Sequence, residues 1–99
     1  MNIKFLTLAQ QEVDDVVLWF EAGQEGTSVD FLNALDEAVQ FIKNYPFAST
    51  EIDLELELRR HLIAGFPYSL IYSVEDETIV IIAVAHTHRE PHYWNERIH

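Results

Sequence analysis

The chain has 99 residues and a net charge of −11, with 17 acids against six Lys and Arg and no cysteine. That length makes one domain spanning residues 1–99, able to bury roughly 60–65% of its unfolded-chain surface. The lack of cysteine excludes disulfide staples, thiolate zinc sites and a Cys nucleophile. Residues 1–50 hold two cations and eight acids, and residues 51–99 hold four cations and nine acids. Both halves therefore repel phosphate backbones, and sequence-independent binding to DNA or RNA is not expected.

Hydrophobic residues make up 48% of the chain, with only three Gly and three Pro, a globular composition and not a disordered one. The start, Met1-Asn2-Ile3-Lys4-Phe5, lacks the apolar core of a signal peptide. No apolar run approaches the ~18 residues of a membrane span, so the chain is expected to be cytoplasmic, with no membrane partner.

Residues 2–6 alternate weakly and predict a short strand. Thr7 stands three residues before Gln10, a capping-box spacing, and the helix that follows places Val13, Val16, Val17 and Phe20 on one stripe. Glu12, Asp14, Asp15 and Glu21 fall on its wet side, and Trp19 at the margin of either face. Gly23 and Gly26 break this helix. Thr27 and Asp30 repeat the capping spacing, and a second helix carries Phe31, Leu32, Leu35, Ala38, Val39, Ile42 and Tyr45 as its stripe. It ends at Tyr45-Pro46, because the residue before proline is driven out of helical geometry. Two amphipathic helices with a short loop form a helical hairpin that needs a sheet to cover.

Glu51 to Leu58 then alternates acid and apolar without a fault, predicting a half-buried strand or a strand entered through an extended loop. The same parity puts Arg60 with the leucines, where a guanidinium needs a partner, so either a bulge shifts the register or Arg60 pairs at a cleft. The row Glu51, Asp53, Glu55 and Glu57 reads as a solvated face that discourages edge pairing, or as a docking surface for a basic partner.

Tyr68–Val74 and Thr78–Ala85 are two strand-like runs joined by the acidic turn Glu75-Asp76-Glu77, an antiparallel hairpin. Ile79 to Val84 is apolar at every position and must be covered on both sides, which places it inside the sheet. Directly after it come His86, His88, Arg89, His92, Tyr93 and Trp94, so a buried strand delivers a cationic, aromatic cluster to one end of the sheet. The predicted class is α+β: a helical hairpin on a small, mostly antiparallel sheet, order β-α-α-β-β-β, closed by a short C-terminal turn or helix. Without a matched carboxylate the three histidines read as surface or partner-facing, and no metal or cofactor is expected.

The segment Phe66-Pro67-Tyr68, a strand with Tyr72, and then Ala83-Val84-x-His86-x-x-Arg89-x-Pro91-x-Tyr93-Trp94 resembles the RelE/ParE toxin superfamily, in its ParE-like plasmid stabilisation branch. Ala9, Glu12, the Trp19-Phe20-Glu21 end of the first helix and the Phe31–Leu35 register look like the same family. The resemblance implies a toxin of a type II toxin–antitoxin module, neutralised by a cognate antitoxin and acting by protein–protein contact on a target such as DNA gyrase. It implies a shared surface of Arg60, Phe66, Tyr68, His86, Arg89, Tyr93 and Trp94. A RelE-like alternative is a ribosome-dependent mRNA endonuclease with Arg60, His86, Arg89 and Tyr93 as the site, in which a His titrating near neutrality and an Arg would serve the phosphate. A third reading is a non-toxic relative acting as a binding module. The acidic balance, and Ala64-Gly65 where relatives carry basic residues, favour protein contact over RNA cleavage. A homodimer is compatible with all three.

Overall fold

The computed structural model describes residues 1–98, and the chain runs β1 (Asn2–Phe5), α1 (Thr7–Ala22), α2 (Thr27–Asn44), β2 (Thr50–Asp53), β3 (Leu58–Leu62), β4 (Tyr68–Glu75), β5 (Thr78–His86) and a 3₁₀ turn (Tyr93–Arg97). The five strands form one open sheet in the order β1-β5-β4-β3-β2, with β1 parallel to β5 and the other pairs antiparallel. This is the predicted α+β layering with one strand more.

The extra strand comes from dividing the alternating stretch. Glu57 takes a left-handed conformation with φ +56°, so the chain turns between Asp53 and Leu58 instead of running through. The Asp53 carboxylate accepts from the Leu56 N–H at 2.9 Å, the local side-chain bond that favours a turn over a strand. Leu54, expected on the buried face, is 79% exposed at the turn, while Leu58 is buried. Alternation matched a strand, but it could not register a turn whose cap is itself one of the alternating acids.

Both helices start one residue earlier than the capping spacing indicated. Leu6 and Gly26 are the N-caps, neither helix has a side-chain cap, and Thr7 and Thr27 are first-turn residues. Gly26 holds φ +86°, a geometry that would strain a residue with a Cβ. Leu32 and Tyr45, assigned to the apolar stripe of α2, are 43% and 59% exposed; Phe31, Leu35, Ala38 and Ile42 carry the packing. Trp19 is 73% exposed, fully on the outer side of α1.

β5 lies between β1 and β4, and residues 79–85 are buried throughout. Ile79, Ile81 and Val84 pack toward the helices with Leu70, Tyr72 and Phe31. Val80, Ile82, Ala83 and Ala85 pack on the other face with Leu58, Ile71 and Trp94. Ile82 is the extra residue of a bulge, since Tyr72 pairs with Ile81 while Ile71 pairs with Ala83. Trp94 closes the sheet face opposite to the helices.

Candidate functional site

β1 pairs with β5 only as far as Ile81, where the Leu6 N–H donates to the Ile81 carbonyl at 3.0 Å. The chain then turns into α1, and the rest of β5 has no strand on that side. An edge left in this way presents polar backbone groups that need partners. Glu12 supplies one, its Oε1 accepting from the Val84 N–H at 3.0 Å, and Arg97 supplies another, donating to the Ile82 carbonyl at 3.0 Å. The two are joined by a forked pair of 2.7 and 3.2 Å, with side chains only 13% and 12% exposed. An ion pair thus stands where a strand would otherwise continue.

Glu12 was expected on the wet side of α1, and the fold overturns that. Its Oε2 also accepts the Tyr93 hydroxyl at 2.6 Å and lies 3.5 Å from Arg89 Nη1. The Arg89 guanidinium sits 3.6 Å from the centre of the Tyr93 ring. Helical periodicity alone could not place Glu12, because its partners lie 72 to 85 residues further along the chain. Arg97 was missed as well. The available signal was that it is one of only four arginines in a chain with 17 acids.

Tyr93 is held in its neutral form. Burial first, and then its hydrogen bond to the Glu12 carboxylate and the charge of that carboxylate, push the phenol well above its ordinary 10.0, although Arg89 and Arg97 pull the other way. A raised folded-state pKa contributes stability that is complete below the ordinary value and is lost as pH rises through the raised one. In an alkaline titration followed by tyrosinate absorbance, Tyr93 is therefore expected to ionise last and together with unfolding. Glu12→Gln should bring its ionisation down, since the charge of the carboxylate leaves while the amide oxygen can still accept the hydroxyl. An unchanged titration in that variant would show that Glu12 does not hold the phenol.

The seven residues of the expected surface divide between two faces. Arg60, His86, Arg89 and Trp94 line one groove of about 330 Å³ on the sheet face away from the helices, together with Leu62, Ser69 and Ile71. Phe66 and Tyr68 lie on the helix side in an aromatic cluster, Phe66 centred 5.4 Å from Phe20 and 5.3 Å from Phe31. Tyr68 touches the groove only through His86, edge-on at 5.1 Å. Tyr93 points to Glu12 and belongs with Arg89, Pro91 and Arg97 to a second, wider depression beside the start of α1. Arg60 keeps the face of Leu58, since the register shift of β2 against β3 falls earlier, between Glu51 and Asp53, and it stands at a cleft. Its neighbour Arg59 is tied to the Phe47 and Ser49 carbonyls at 3.0 and 2.9 Å.

His86 Nδ1 accepts the His88 N–H at 3.0 Å, and the two rings are 5.5 Å apart. Among the described residues no three His, Asp or Glu side chains converge on a point that could hold a metal ion. His61, half-buried, stacked on Phe41 and bonded to Ser49 at 3.1 Å, has its pKa lowered by desolvation.

Fold and groove together define a two-layer α+β domain whose helices cover one sheet face and whose other face is only partly closed, leaving an arginine-rimmed groove. The family described as the ParE toxin of type II toxin–antitoxin systems, parDE, matches residues 3–91, and the chain belongs to that family. Its fold is similar to a solved structure of the chromosomal ParDE TA system from P. aeruginosa, with a TM-score of 0.76 at 15% identity, covering 87% of this chain and 95% of that one. No curated protein matches it in sequence. No helix is long and apolar enough to cross a membrane among the described residues.

Proposed function

We propose that this ParE-family toxin component acts in the cytoplasm by protein–protein contact on a gyrase-type target and is neutralised by a cognate antitoxin. The observation that carries this reading is the commitment of Tyr93 to Glu12. Of the four residues a nuclease would need, Arg60, His86 and Arg89 line the groove, while the Tyr93 phenol is bonded away to a carboxylate and kept protonated. A phenol so engaged is a poor proton donor or acceptor for a phosphate. Charge points the same way, since 17 acids repel an RNA backbone. The open sheet supports an antitoxin partner: β1 and β2 are edge strands, and strand addition to such an edge is a common way of capturing an extended peptide.

Inducing the chain alone should arrest growth, and co-expression of the adjacent antitoxin gene should relieve the arrest. Purified protein should inhibit gyrase supercoiling and leave mRNA uncut. Codon-specific mRNA cleavage abolished by Arg89→Ala or His86→Ala would replace this reading with the endonuclease one. No arrest at all would leave a non-toxic binding module.

A further inference from the structure

None of the 17 acids of this chain lines the groove on the open sheet face. Of the four arginines, Arg59 is tied to backbone carbonyls and Arg97 to Glu12. The other two, Arg60 and Arg89, both stand at this groove; Arg89 reaches Glu12 only at 3.5 Å and stacks on the Tyr93 ring, and its side chain is still 54% exposed. The floor is apolar and low because Ser69 pairs directly with Ala85, two small residues side by side, next to Ile71. Leu62 on one side is 56% exposed, and Trp94 closes the other.

We infer that this groove receives an extended acidic segment of a partner protein, an apolar side chain seated on the Ser69–Ala85 floor and flanking carboxylates on Arg60 and Arg89. The inference rests on the protein-contact reading above and specifies the chemistry of the segment. Arginine favours a carboxylate here because its planar fork can make two parallel hydrogen bonds. Elsewhere the surface is strongly acidic and turns such a segment away, so the local charge supplies specificity as well as attraction. A nucleic-acid strand offers the same negative charge, but it lacks an aliphatic anchor for the floor and meets the repulsion of the whole molecule.

The test uses the purified full chain and four fluorescent probes: an alternating Glu/Leu octapeptide, its Gln/Leu and Lys/Leu counterparts, and a single-stranded oligonucleotide of the same charge. Fluorescence anisotropy is expected to show the Glu/Leu peptide binding about tenfold tighter than the Gln/Leu peptide. Arg60→Gln and Arg89→Gln should each weaken it severalfold, while Lys43→Gln, on α2, should leave it unchanged. Circular dichroism checks that each variant is folded. Equal binding of the Glu and Gln peptides, or tighter binding of the oligonucleotide, overturns the inference. So does peptide-competed self-association, which would make a second copy of this chain the occupant. Because the assay needs neither cells nor gyrase, lost peptide selectivity with growth arrest intact indicts the groove, and the converse indicts the toxin reading.

Discussion

Glu12→Ala is expected to lower stability by about 3 kcal/mol, a value typical of removing one partner from a buried ion pair. The loss is large because Arg97 stays behind, 12% exposed and without its counter-charge, while the Val84 N–H and the Tyr93 hydroxyl lose their acceptor. For a domain of this size each kcal/mol moves the melting point by about 4–8 °C, so a large drop should be visible by thermal denaturation. Hydrogen exchange at Val84 should accelerate by more than global unfolding requires, since the acceptor that Glu12 supplies is gone. Replacing both members, with Glu12→Leu and Arg97→Met, should recover much of the loss, because the larger part of it is the stranded charge and not the absent attraction. A loss under about 1 kcal/mol in Glu12→Ala would mean that the pair behaves as an exposed surface contact.

Trp94→Ala should cost about 3–5 kcal/mol, the range for truncating a large buried aromatic. Trp94 is 6% exposed and packs against Leu58, Ile71 and Val80, so its removal opens the sheet face away from the helices. Urea titration should give the lower midpoint, and binding of a hydrophobic dye should reveal the uncovered surface. Trp19→Ala, at 73% exposure, should stay within about 0.5 kcal/mol of the parent. The same pair separates by fluorescence, the blue-shifted emission leaving with Trp94 and the solvent-like emission with Trp19. Comparable losses in both variants would contradict the closure of this face by Trp94.

Short-range pattern carried the elements whose cause is local. The unbroken apolar run from Ile79 to Val84 has no polar face to offer water, and it lies at the second position of the sheet, buried on both sides. The two helices, the breaks at Gly23 and Gly26 and the stop at Tyr45-Pro46 are likewise consequences of residues a few places apart. Even the end of the sheet that gathers His86, Arg89 and Trp94 was legible, since a buried strand must deliver whatever follows it to one place.

The sequence by itself therefore determined the layers, the burial of β5 and the location of the arginine-bearing tip, because hydrophobic periodicity and turn chemistry act over a few residues. Only the tertiary structure decided which side chains face one another across that tip. Phe66 and Tyr68 went to the helix side, while Arg60 joined His86 and Arg89 on the open face. Glu12 became the acceptor that Arg97, Tyr93 and Val84 share, at separations of 72 to 85 residues. The reason is that the end of β1 leaves backbone groups of β5 unpaired, a demand that exists only once the sheet has formed.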